Sequence, residues 1–175
     1  MYCSVTQQQG TGSENRSGNA TTYPLDANAV DNKLYIAVAK TEGQSNHSQH
    51  PFAGYFLPFP DQDWGRKGEG LVSTIYDEPP QLNWIYVDQE TYEVKYGLRI
   101  DAEDHLAGPW DCTRIDKRIT LEGWEGFMAV QEDDGSWALF FDRDDNGLRG
   151  KTSSKKILEV EMTRKERRKR KGDEG

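Results

Sequence analysis

Two segments of this chain fix the kind of backbone it can adopt. Residues 82–88 (LNWIYVD), Gln89-Glu90 and residues 91–97 (TYEVKYG) read as a β-hairpin. In its second arm Tyr92, Val94 and Tyr96 alternate with Glu93 and Lys95. A period of two puts successive side chains on opposite faces of a strand. One face is therefore aromatic and the other is wet. Residues 126–132 (GFMAVQE), Asp133-Asp134-Gly135 and residues 136–142 (SWALFFD) repeat the pattern, with Gly135 free to take the positive φ that a tight hairpin turn needs. Shorter β-rich runs stand at 34–40, 53–59, 71–77, 118–123 and 155–163, while 101–113 reads as irregular. No stretch has the spacing of an amphipathic helix. The expected fold is all-β, a single antiparallel barrel or sandwich of about 8–10 short strands. The two hairpins look alike but share no fixed period, so no internal repeat is read.

Charge and composition divide the chain in three. Residues 31–163 hold all five Trp and carry 14 basic against 25 acidic residues, net -11. A domain of that length buries roughly 65–70% of its unfolded surface, enough for a core without staples. Residues 1–30 are rich in Gln, Gly, Ser, Asn and Thr. They offer little apolar surface to offset the entropy of ordering, which predicts a disordered leader. Residues 164–175 hold seven basic and three acidic residues, net +4, and read as a basic disordered tail. The overall charge of -8 is thus the sum of unlike parts.

These divisions exclude several classes. An acidic domain repels phosphate backbones, so the domain itself is a poor nucleic-acid binder. No run approaches the length of a membrane span, so no membrane partner is expected. The start MYCSVTQQQGTGSEN lacks the basic and apolar regions of a secretory signal. The two cysteines, Cys3 and Cys112, fall one in the leader and one in the domain, which predicts no structural disulfide and fits a reducing compartment. A cytoplasmic or nuclear location is expected.

Four features could carry chemistry. The tail RKERRKRK supplies Arg164, Lys165, Arg167, Arg168, Lys169, Arg170 and Lys171, a cluster suited to an import receptor or to phosphate contact. Asp142, Asp144 and Asn146 in DRDDNG match the first half of a calcium loop. The twelfth position is Ser153 rather than Glu, and a β-turn also favours Asp, Asn and Gly. No other cofactor is indicated. Trp64, Trp110 and Trp124 stand near carboxylates, among them Asp111, a pairing that suits sugars or cations. Core packing is the plain alternative for each tryptophan. Carboxylates are so abundant that some pair would always fit the spacing of a hydrolase. Cys112 follows Asp111, and an acidic neighbour raises a thiol pKa, which argues against a catalytic thiolate.

The motifs WIYVDQETYEVKYG, GPWDCT, LEGWEGF and WALFFDRDDNGL resemble a group of small proteins from filamentous fungi, similar over about residues 33–163. The resemblance implies no substrate. It implies that GPWD, EGWEG and FDRDDNGL belong together and could line one rim. The expected function is a non-enzymatic intracellular binding module. Its ligand, a sugar, a basic peptide or a cationic small molecule, would meet Trp64, Trp110, Asp111, Trp124 and the 142–147 loop. The alternatives are a carboxylate-based hydrolase or isomerase in a barrel mouth, and a nuclear nucleic-acid accessory protein acting through its basic tail.

Overall fold

A computed structural model describes residues 2–7, 22–28, 31–38, 49–60, 67–77, 80–154 and 156–166. Both hairpins form as their alternation requires. The first joins β7 (Pro80–Val87) to β8 (Val94–Gly97), and the second joins β11 (Phe127–Gln131) to β12 (Trp137–Phe141). Tyr92, Val94 and Tyr96 are buried, while Glu93 and Lys95 are half-buried. Gly135 takes a φ of 84° in the second turn.

The strands close on themselves. β1 (Tyr2–Gln7), β13 (Ile157–Lys165), β11, β12, β3 (Lys33–Ile36) and β2 (Thr22–Asn28) pair in that order, and β2 pairs with β1 to complete the ring. This is a closed six-strand antiparallel barrel among the described residues. Closure satisfies the backbone groups that an open edge would expose. Alternate residues supply one apolar core, including Val5, Leu25, Ala27, Leu34, Ala129 and Leu139, each 3% exposed or less. From β3 the sheet continues through β8, β7, β6 (Glu69–Asp77) and β5 (Gly54–Pro58), and β4 (Gln49–Pro51) pairs with β2. The fold is all-β, as the periodicity requires.

Three expectations are corrected. Residues 1–30 were expected to be a disordered leader, yet their described segments are β1 and β2, two walls of the barrel. Their alternating buried residues are small or scarce (Cys3 and Val5, Leu25 and Ala27), so the pattern is faint. Pairing on both sides, not propensity, makes them strands. The tail was expected to be disordered from 164, but β13 runs on to Lys165, with Arg164 opposite Cys3 and Lys165 opposite Tyr2. The irregular 101–113 segment contains a strand, β9 (Trp110–Cys112). It pairs with β10 (Ile119–Leu121) in a separate two-stranded sheet. A single helical turn, α1 (Arg99–Ala102), precedes it.

No helix among the described residues is long and apolar enough to cross a membrane. Cys3 and Cys112 are free thiols. Burial pushes the Cys3 thiol up to about 12 and also raises that of Cys112. For Cys112 burial outweighs Asp111 as the cause.

Candidate functional site

The β11–β12 hairpin offers two concave places. Val130 and Phe140 lie on the face opposite Ala129, Leu139 and Phe141, because side chains alternate along a strand. Both are among the residues lining a cleft of about 550 Å³, each 4% exposed or less. One wall is Glu93 and the turn residues Glu132, Asp133 and Asp134, and the other is Lys151 with Thr152, Ser153 and Ser154. Local chemistry shapes both walls. The Asp134 carboxylate accepts the Ser136 N–H at 2.9 Å and fixes the turn. The Ser154 hydroxyl donates to the Gln131 carbonyl at 2.7 Å and ties the serine-rich loop to β11. Lys151 Nζ donates to the Glu90 carbonyl at 2.8 Å and sits 4.1 Å from the Tyr92 ring centroid.

Behind the acidic wall lies an ion network that joins three turns. Lys33 Nζ stands 2.7 Å from Glu93 and 2.8 Å from Glu132. Lys95 Nζ stands 3.0 Å from Asp88 and 3.5 Å from Glu93. The buried Tyr35 hydroxyl reaches Asp31 at 2.6 Å and Glu132 at 3.0 Å. Burial, then these two carboxylates, raises its pKa far above the usual phenol range. Burial disfavours the charged forms of Lys33 and Lys95, but their carboxylate partners outweigh it and raise both. Burial also works against Asp88 as an anion. The Glu90 N–H, the Lys95 ammonium and the Thr91 N–H prevail and hold its carboxyl at about 2.

The second concavity, about 130 Å³, lies toward the other end of β11. Trp124 forms one wall, with Glu125, Asp142, Asp145 and Glu159 around it. The indole meets Phe141 edge-on at 5.5 Å between centroids and closes over Gly126, where any Cβ would strike the ring.

The residues singled out from sequence meet different fates. Trp64 and the tail residues Arg167, Arg168, Lys169, Arg170 and Lys171 lie outside the described residues. Trp110 is not on a rim. It is 2% exposed, stacks on Phe127 at 6.0 Å and donates its indole N–H to the Ile85 carbonyl at 3.2 Å. Its place in β9 turns it inward, and an adjacent exposed Asp111 was no guide to its burial. Asp111 accepts the N–H of Cys112 at 2.7 Å. Trp124 and the 142–147 loop do come together, in the smaller hollow.

The calcium-like trio makes hydrogen bonds within its own loop and to Tyr92. Asp142 is 4% exposed, and its carboxylate accepts N–H groups from Asn146, Gly147 and Leu148 at 3.3, 2.7 and 3.3 Å. Asp144 accepts the Tyr92 hydroxyl at 2.8 Å, and the Asn146 side-chain oxygen accepts the Arg149 N–H at 3.0 Å. Among the described residues, no group of three or more His, Cys, Asp or Glu is placed to hold a metal. Glu93, Lys33 and Lys151 were not singled out as site residues from the sequence. Their one signal was charge on the wet face of the hairpins, and nothing local says that three turns will meet.

The closed barrel has its apolar positions filled and its concavities on the flank, the arrangement of a binding-type module. The match with known families is specific. Residues 25–168 match the fungal beta-trefoil domain, and the chain belongs to that family. This agrees with the fungal resemblance of its motifs. Comparison with curated proteins and comparison with solved structures each gave no match.

Proposed function

We propose that the protein is a binding module whose larger cleft takes a small, hydroxyl-rich molecule carrying a positive charge, such as an amino sugar. The observation that carries this reading is the lining of the 550 Å³ cleft: four carboxylates, one lysine and three consecutive hydroxyls. The volume falls in the range of about 300–1,000 Å³ that holds small ligands. Carboxylates accept from hydroxyl and ammonium groups alike, and Ser153 and Thr152 can donate or accept. Four acids outnumber Lys151 and the adjoining Lys33, which disfavours an anion. A hydrolase would need an acid kept neutral by burial. Glu93 and Glu132 instead share the Lys33 ammonium.

The test is a thermal-shift and calorimetric panel of amino sugars, neutral sugars, sugar acids and polyamines. A ligand of the folded state at 100 times its Kd stabilises it by about 2.7 kcal/mol. Asp133→Asn and Ser153→Ala change exposed residues, so they should weaken binding without changing the unliganded melting temperature. Preference for sugar acids, or full affinity in both variants, would sink the proposal.

The smaller hollow favours a second reading, capture of a lone cationic side chain from a basic peptide. An indole face ringed by Glu125, Asp145 and Glu159 suits an ammonium or guanidinium. Asp145→Asn should weaken a lysine-rich peptide and leave the amino sugar untouched. Nuclear import through the basic tail is tested separately by removing residues 167–175 from a tagged chain. That cut spares Arg164 and Lys165, which are part of β13.

A further inference from the structure

The turn between β9 and β10 carries an exposed apolar tip beside two cations and one acid, Arg114, Lys117 and Asp116, and neither concavity uses it. Thr113 and Arg118 lock the turn: the Thr113 N–H donates to the Arg118 carbonyl, and the Arg118 N–H donates to the Thr113 hydroxyl, both at 2.9 Å. The turn docks on the end of β13, where the Arg164 N–H donates to the Lys117 carbonyl at 2.7 Å and Arg118 bridges Thr163. Ile115 stands at the tip, 90% exposed. Arg114 and Asp116 adjoin it and Lys117 follows, all three exposed, as is Lys165 at the end of β13.

The cations here are of two kinds. Arg118 is held by Asp116, Glu125 and Glu161, and Arg164 by Glu166. Among the described residues no carboxylate pairs with Arg114, Lys117 or Lys165. The sequence then continues from Glu166 into RRKRK at 167–171.

We propose that this turn and the end of β13 form a docking face for an anionic lipid bilayer, with Ile115 entering the headgroup layer and Arg114, Lys117 and Lys165 facing anionic headgroups. Phosphate contact alone would need only the cations. The branched alkyl group at the tip is what favours a bilayer over a nucleic acid, and no aromatic side chain is available on the turn to stack on bases. Reversible membrane binding takes an apolar insertion and a basic cluster together. The acidic remainder of the domain does not prevent it, because at physiological salt exposed charges beyond about 8 Å are screened. This is surface contact, not a span.

The experiment is co-sedimentation of the full chain with vesicles of phosphatidylcholine alone and with added phosphatidylserine, at low and physiological salt. The chain should sediment only with the anionic vesicles. Ile115→Ser should cut partitioning about tenfold, the scale of one buried aliphatic side chain. Each of Arg114→Gln and Lys117→Gln should cut it about fivefold and reduce its salt sensitivity. All three should melt with the wild type, since none of these side chains is packed. Failure to sediment with anionic vesicles overturns the proposal. So does full binding by Ile115→Ser when deletion of 167–175 alone abolishes it. Tight, salt-sensitive binding of duplex RNA or DNA that is insensitive to Ile115→Ser would assign the face to nucleic acid instead.

Discussion

Two regions of the molecule treat positive charge in opposite ways. Beside the cleft, Lys33 and Lys95 are each clamped between two carboxylates, with side chains 18% and 22% exposed. At the β9–β10 turn, Arg114 and Lys117 point into solvent with no carboxylate partner among the described residues. The first arrangement joins the turns of three hairpins. Once partly desolvated, a charge is costly to leave alone, so its partners become structural. The second contributes little to folding and is free for contacts. A net charge of -8 conceals both, because neither depends on the sum.

The contrast can be broken most directly at Lys33. Lys33→Ala leaves Glu93 and Glu132 facing each other beside Tyr35 without a cation. The expected loss in denaturant unfolding is about 2 kcal/mol, between the values for exposed and buried pairs. A loss no larger than that of a random surface change would make the clamp ornamental.

Acid should open the same network. The Asp88 carboxyl sits near 2 in the folded protein against an ordinary 3.8. Its contribution to stability is complete above the ordinary value and is lost as pH falls through the folded one. Melting temperatures measured from pH 5 down to pH 2 should therefore fall, and Lys95→Met, which removes one cause of the depression, should flatten that fall.

Smaller effects belong to the free cations. Arg114→Gln and Lys117→Gln should each change stability by less than about 0.5 kcal/mol. A larger cost would show that these side chains are clamped after all. The smallest effect is expected from calcium or a chelator. Asp142 already spends its oxygens on three N–H groups of its own loop, so neither should move the melting temperature.

The sequence made some elements plain and left others unreadable for identifiable reasons. The β7–β8 and β11–β12 hairpins were legible because an aromatic or aliphatic face alternates with charge. β1 and β2 were not, since Cys3, Val5, Leu25 and Ala27 are too few among polar residues to show a period. The tryptophans divide along the same line. Trp110 and Trp124 have similar neighbours, a proline or glycines and an acid, yet one stacks in the core and the other walls a hollow. Their local sequence could not separate them. Burial of Trp110 depends on Ile85 and Phe127, which lie 25 and 17 residues away.

What the sequence determined by itself was the backbone class, because a period of two admits only strands. It also determined the acidic domain and the basic end, because charge is local to each residue. Tertiary structure decided the rest. Whether the strands closed into a barrel rested on β1 pairing with β13, far along the chain, as well as with its neighbour β2. Whether a carboxylate became a clamp, a turn cap or a cleft wall rested on which turns met. Side-chain chemistry is written residue by residue, but partners are chosen by closure of the ring.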